Sequence, residues 1–145
     1  MNQAAAFHLA IPITNIAQAK DFYAVGLGCE VGRENKSAVI FNFYGNQLVG
    51  HLTKETLKPQ RGIYPRHFGV NLPTHAAWQQ ICDRAQEHQL EFYGKPRLRF
   101  PKQPLEHHCF FLVDPFFNLL EFKHYIQPEV ILGGTELKSI GDTGN

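Results

Sequence analysis

The stretch that decides the fold is Pro65-Arg66-His67-Phe68-Gly69-Val70-Asn71-Leu72. Its apolar side chains alternate with His67, Gly69 and Asn71, which is typical of a β-strand with one apolar and one polar face. The small side chains beside the histidine leave room for a bound group on the polar face. The hypothesis from this segment is a metal ion held at the head of the strand.

A second copy of this strand lies near the start of the chain, at residues 6–13, where His8 takes the place of His67. At the same distance after each histidine stands a residue suited to cap a helix, Asn15 in the first copy and Thr74 in the second. Strand–helix–strand units can resemble one another by chance. We interpret the shared spacing as a duplication, in which two units complete one core.

The pattern predicts the same order in both halves, a strand, a helix and three further strands. A polar connection at 54–64 separates module one, 6–54, from module two, 65–125. The two modules make up one domain, 1–126, and the tail, 127–145, is expected to fray. The proline-rich, basic segment 94–106 is predicted to be a long loop that serves as a lid over a site. The predicted strands are at 6–13, 30–34, 38–43, 47–53, 67–72, 90–93, 107–113 and 118–124.

Composition excludes several classes of protein. The chain has 145 residues, which suits one domain, and a net charge of +1, which favours neither nucleic acid nor an anionic membrane. Its N-terminus lacks the basic region of a signal peptide, and no membrane span is expected. Three cysteines without short spacing argue against a disulfide framework and favour a cytoplasmic location.

Four residues are candidate metal ligands because equivalent strands should occupy equivalent places. The first strands supply His8 and His67, and the last strands supply His51 and Glu121. Imidazoles and a carboxylate on one face favour Fe(II), although the same donors also suit Mn, Ni, Co or Zn.

Ordinary roles are the alternative for each of these residues taken alone. A histidine in a strand is commonly a hydrogen-bonded core or surface group. Glu121 could equally pair with one of the nearby cations, Lys123, Arg97 or Arg99.

A further histidine pair opens the penultimate strand. Alternation places His107 on the face of Cys109, and His108 on the opposite face. One of them, for which His107 is our candidate, faces the site as a proton shuttle or an outer partner of the ligands. The alternative is a solvent-exposed strand end. The cysteines are interpreted as small core residues.

The chain resembles the vicinal oxygen chelate superfamily, which contains glyoxalase I, extradiol ring-cleaving dioxygenases, bleomycin-resistance proteins and fosfomycin-resistance enzymes. The resemblance extends from Phe7 to about Tyr125. It rests on the paired modules, a histidine in each first strand, and the motifs at 21–28 and 114–121. It implies an α+β fold, in which paired βαβββ modules form a cupped eight-stranded mixed sheet around a divalent metal.

The resemblance also implies roles for individual residues. His8, His67 and Glu121 match the ligands common to the metal-dependent members of the family. His51 falls where glyoxalase I has a fourth ligand and where the dioxygenases have an acid/base histidine. Arg66, directly before His67, favours the dioxygenase type.

The function predicted from this resemblance is a metal-dependent, extradiol-dioxygenase-like oxidoreductase. It would act as a homodimer on a small substrate with adjacent oxygens, with His51 and His107 as catalytic residues. One alternative is a glyoxalase I-type lyase or isomerase. The other is a non-catalytic, bleomycin-resistance-like protein that binds its ligand in an aromatic cleft, formed by Phe43, Tyr93, Phe100, Phe111, Phe116 and Phe117.

Overall fold

The protein consists of two βαβββ modules followed by a C-terminal tail. A computed structural model describes residues 4–143. Module one contains β1 (His8–Ile13), α1 (Ile16–Lys20) with a π-helical continuation (Asp21–Gly26), β2 (Glu30–Glu34), β3 (Ala38–Phe43) and β4 (Asn46–Leu52). Module two contains β5 (Phe68–Asn71), α2 (His75–Glu87), β6 (Phe92–Arg99), β7 (His107–Val113) and β8 (Leu119–Tyr125).

Each module forms a four-stranded mixed sheet, in the order β1-β4-β3-β2 and β5-β8-β7-β6. The first and last strands of each module run parallel, and the other pairs are antiparallel. The predicted α+β fold of paired βαβββ modules is therefore confirmed. Its eight strands are divided between two sheets of four.

Side-chain caps begin both helices where the sequence predicts them. The Asn15 side chain accepts a hydrogen bond from the Gln18 amide at 2.8 Å. The Thr74 hydroxyl accepts one from the Ala77 amide at 3.0 Å. Each cap satisfies an amide that has no partner within its helix. The duplication therefore extends to the local chemistry that starts the helices.

The prediction of a long loop over 94–106 is wrong for its first half. Residues up to Arg99 belong to β6, where Arg97 pairs with Cys109 and Arg99 with His107. Pro96 lies at a shift of register between Gly94 and Arg97. A strand at the edge of a sheet tolerates proline there, because the missing amide has no neighbour to bond. The segment that leaves the sheet is only 100–106.

A single hydrophobic core joins the modules. The Phe43 ring of module one lies 5.7 Å from the Phe68 ring and 6.3 Å from the Phe122 ring of module two. The buried Asp114 carboxylate accepts a hydrogen bond of 2.6 Å from the Tyr23 hydroxyl, across the two modules. Burial raises the pKa of Asp114, and its hydrogen bonds oppose that shift. These contacts fix the position of one sheet relative to the other.

Replacing Tyr23 by phenylalanine should lower the free energy of unfolding by about 1.5–3 kcal/mol, because a buried bond to a carboxylate is lost. The difference should be smaller below the raised pKa of Asp114, where a neutral carboxyl is the acceptor. Urea unfolding at several pH values measures it. Tyr93→Phe is the matched control, because Tyr93 is exposed. Equal stabilities of the two variants would contradict the prediction.

Residues 127–143 of the C-terminal tail contact module two and the connection between modules, contrary to the expectation that the tail frays; positions 144 and 145 lie outside the described residues. A short 3-10 turn spans Pro128–Val130, and Ile140 pairs with Thr143. The Asp142 carboxylate forms an ion pair with Arg99 of β6 and accepts a hydrogen bond from the Tyr64 hydroxyl. Composition alone misses these contacts because they depend on residues far along the chain.

Within residues 4–143, the helices are too short or too polar to cross a membrane.

Candidate metal centre

The centre of the site is the pair formed by His67 and Glu121. Glu121 lies on β8 opposite Gly69 of β5, and His67 directly precedes β5. Nε2 of His67 is 3.2 Å from Oε1 of Glu121. Nδ1 of His67 lies 2.7 Å from the Ile63 carbonyl oxygen, which can only accept, so Nδ1 carries a proton. This bond orients the ring and leaves Nε2 to face the carboxylate.

Gly69 permits the close approach of β5 to β8 beside this pair. A Cβ atom at Gly69 would lie 1.6 Å from the Glu121 carbonyl oxygen. No side chain larger than hydrogen fits there without moving one strand. The glycine in the opening sequence motif is therefore required by the geometry that brings His67 to Glu121.

His107 and Cys109 of β7 complete a cluster on the other side of Glu121. One potential ligand atom from each of His107, Cys109 and Glu121 lies within 4.8 Å of the others. Nδ1 of His107 donates a hydrogen bond of 2.8 Å to the Leu105 carbonyl. Its Nε2 is therefore the nitrogen available to the cluster, as in His67.

Burial and hydrogen bonding set the protonation of this cluster. The hydrogen bond with Glu121 raises the pKa of His67, and burial opposes it. Burial lowers the pKa of His107, so its imidazole is neutral at neutral pH. Burial raises the pKa of the Cys109 thiol, which disfavours the thiolate that would bind a metal. The donors that suit a cation are thus two imidazoles and one carboxylate.

His8 and His51 lie on the polar face of the first sheet. Nδ1 of His8 is 2.7 Å from the Gln47 side-chain oxygen, and both histidines are exposed. Pro12 stands opposite His51 on β4, so the two histidines are separated along the strands by four residues, or about 13 Å. Within residues 4–143, neither His8 nor His51 belongs to a group of three residues whose potential ligand atoms lie close together.

The strand register shows that His51 is not the counterpart of Glu121. Glu121 stands opposite Gly69, two residues after His67, whereas Val49 stands opposite Ala10, two residues after His8. Val49 therefore occupies the place in module one that Glu121 occupies in module two. His51 lies two residues further along and corresponds to Lys123.

The comparisons with known proteins agree with this architecture. Residues 5–122 match the Glyoxalase/Bleomycin resistance protein/Dioxygenase superfamily. The chain belongs to this superfamily. The resemblance to vicinal oxygen chelate proteins predicted from the sequence is thus confirmed. No curated protein matches the chain.

Solved structures of other superfamily members superpose on most of the chain. A glyoxalase/bleomycin resistance protein/dioxygenase from Alicyclobacillus acidocaldarius is 36% identical, with a TM-score of 0.82 over 88% of this chain and 96% of that one. A fosfomycin resistance protein from Listeria monocytogenes is 11% identical, with a TM-score of 0.62 over 86% and 93%. One from Mesorhizobium loti is 9% identical, with a TM-score of 0.64 over 90% and 99%. The last two share the fold.

Superfamily members typically bind a divalent metal, and the donors around Glu121 suit one. Its side chain is 13% exposed on a strand between buried Leu120 and Phe122. A carboxylate in such a place is costly without a cation or hydrogen-bond donors. The fixed tautomer of His67 presents a nitrogen to the same point. Both features fit a cation held between them.

Sequence reasoning missed one neighbour of the site, Cys109, and named another, Lys123, only as an alternative partner of Glu121. Cys109 was interpreted as a core residue, although alternation already placed it on the face of His107. Nζ of Lys123 lies 3.9 Å from Oε1 of Glu121. Two of the residues predicted for an aromatic cleft, Phe43 and Phe116, are buried in the hydrophobic core.

Proposed function

We propose that this protein is a metal-dependent enzyme of the extradiol-dioxygenase type, acting on a small substrate with adjacent oxygens. The observation that supports it is the His67–Glu121 pair, 3.2 Å apart, on a partly exposed face of a superfamily fold. Arg66, directly before His67 in the chain, favours the dioxygenase type over the glyoxalase type.

His67, Glu121 and His8 are proposed as the metal ligands, with Fe(II) as the favoured ion. His8 is included because the duplication makes it the counterpart of His67. A divalent ion bound there would supply Lewis acidity and a template for two adjacent substrate oxygens. His8 lies on the exposed polar face of the first sheet. We therefore propose a homodimer in which this face of one chain meets the same face of the other chain.

His107 and His51 are proposed to handle protons. His107 is buried, neutral and fixed by the Leu105 carbonyl, so it can accept a proton at Nε2. His51 was also a candidate ligand. The register places it beyond the position equivalent to Glu121, which favours an acid/base role over ligation.

Metal analysis of the protein as isolated, followed by oxygen uptake with a panel of catechols, tests the proposal. We expect about one Fe(II) or similar ion for each site and oxygen consumption with at least one catechol. Conversion of the methylglyoxal–glutathione adduct without oxygen consumption would select the glyoxalase alternative. Ligand binding that persists in metal-free protein, without turnover, would select the sequestering alternative.

His8→Ala and His51→Ala should separate ligation from proton transfer. His8→Ala should weaken metal binding at least about tenfold, because a direct ligand is removed. His51→Ala should keep the metal affinity of the wild type and lower turnover by about 100-fold, the scale of general acid–base catalysis. Calorimetric metal titration and steady-state kinetics measure the two effects. Weaker metal binding by His51→Ala would instead make His51 a ligand.

A further inference from the structure

The tail after β8 roofs a cavity beside the candidate metal centre. The cavity has a volume of about 360 Å³, and the residues that roof it lie beyond the superfamily match, which ends at 122. His107, Lys123 and Tyr125 form its floor on the polar face of the second sheet. Because His107 also belongs to the cluster around Glu121, the cavity adjoins that cluster.

The part of the tail that covers the cavity is held in place by contacts at Gly141 and Asp142. Arg99 of β6 forms an ion pair with Asp142 and donates to the Gly141 carbonyl. The Tyr64 hydroxyl, from the connection between modules, accepts a hydrogen bond of 2.9 Å from the Asp142 amide. These contacts pair the Asp142 carboxylate with the Arg99 guanidinium. They leave a different cation, Lys123, within the cavity.

Lys123 is the charged side chain of the cavity. Nζ forms a long ion pair with Oε1 of Glu121 at 3.9 Å, beyond hydrogen-bond distance, and lies 5.3 Å from the centre of the Tyr125 ring. Within residues 4–143, no carboxylate lines the cavity. An ammonium group has three donors, so Lys123, whose side chain is 27% exposed, can bind an anion in the cavity in addition to Glu121. The cavity is lined by apolar side chains and also by the polar residues Thr135 and Ser139; the apolar side chains include Phe100, Leu105, Tyr125, Val130, Ile131 and Leu137.

We propose that this cavity binds a small organic carboxylate with an apolar body, with the carboxylate at Lys123. The volume lies at the small end of the range for ligand pockets, which suits a molecule of this class. The inference deepens the proposed function and rests on it for the claim that the bound molecule is the substrate. Binding itself requires only the cavity and Lys123.

Calorimetry with 3-phenylpropionate and its uncharged analogue 3-phenylpropanol tests the proposal on the full-length protein. The carboxylate should bind about tenfold or more tightly than the alcohol, because it forms a charge-assisted bond. Lys123→Met should remove this preference, and Lys36→Met, on an exposed turn in module one, should keep it. Equal binding of the two ligands to the wild type would overturn the proposal, whatever the variants do.

A second variant tests the location of the bound molecule. Leu105→Trp fills the cavity while keeping the backbone carbonyl that His107 uses. It should reduce 3-phenylpropionate binding at least about tenfold without changing the circular dichroism spectrum. Unchanged binding would place the ligand elsewhere and overturn the proposal.

Metal titration of the same samples separates this inference from the proposed function. Carboxylate preference without metal uptake would contradict the proposed function and support the carboxylate site. Metal uptake without carboxylate preference would support the metal site and overturn the carboxylate site.

Discussion

Glu121→Gln should reduce the affinity for a divalent metal by about 100-fold or more. The change keeps the size of the side chain and removes the negative charge that the ion would bind. Even outer partners of metal ligands typically contribute 10–100-fold, so a direct carboxylate ligand should contribute at least as much. Calorimetric titration of the metal-free protein with Mn(II) or Co(II) measures the change in affinity without oxygen chemistry.

The same variant should lower the pKa of His67. The hydrogen bond with Glu121 is the largest cause that raises this pKa, and a neutral amide stabilises the imidazolium less well. NMR titration of the metal-free protein measures it. Glu91→Gln, at an exposed site, is the control and should change neither quantity. Wild-type metal affinity in Glu121→Gln would remove this carboxylate from the ligand set.

Gly69→Ala should damage both the fold and the site. A Cβ atom 1.6 Å from the Glu121 carbonyl cannot be accommodated, so β5 must move away from β8. Overpacking of this kind costs about 1–3 kcal/mol and occasionally more. The same movement should separate His67 from Glu121 and weaken metal binding at least about tenfold, since small misplacements of ligands are costly.

Gly62→Ala is the matched control for this prediction. Gly62 lies in the connection between modules, and the nearest atom to an added Cβ is the Tyr93 hydroxyl oxygen at 4.0 Å. Urea unfolding and metal titration should therefore give wild-type values for Gly62→Ala and reduced values for Gly69→Ala. Equal results for the two variants would show that the close approach of β5 and β8 is not required.

Local patterns in the sequence were sufficient for much of the fold. Alternation located seven of the eight strands to within about two residues at each end, and the capping residues Asn15 and Thr74 located both helices. Strand alternation and helix caps depend on residues that are close together in the sequence, so the sequence alone predicts them. The predicted strand ended at 93, too early for β6, because Pro96 by itself indicates a loop. At the edge of a sheet, where β6 lies, a proline is acceptable.

The ligand set shows where sequence patterns lose precision. Alternation assigns Val49 and His51 to the same face of β4, because a shift of two residues leaves the face unchanged. Only the pairing with β1 distinguishes them, and it places Val49 at the counterpart of Glu121. The roof formed by the tail likewise depends on the distant pairing of Asp142 with Arg99 and Tyr64.

The sequence by itself determined the superfamily fold, the duplicated modules and the strand faces of the candidate site histidines, His8, His51, His67 and His107. These follow from side-chain periodicity and from capping, which are properties of short segments. Only the tertiary structure decided which of the candidate ligands meet, namely His67 and Glu121, that His107, Cys109 and Lys123 surround this pair, and that the tail covers a cavity beside it. Those relations depend on strand register and on contacts between remote segments, which periodicity leaves undetermined.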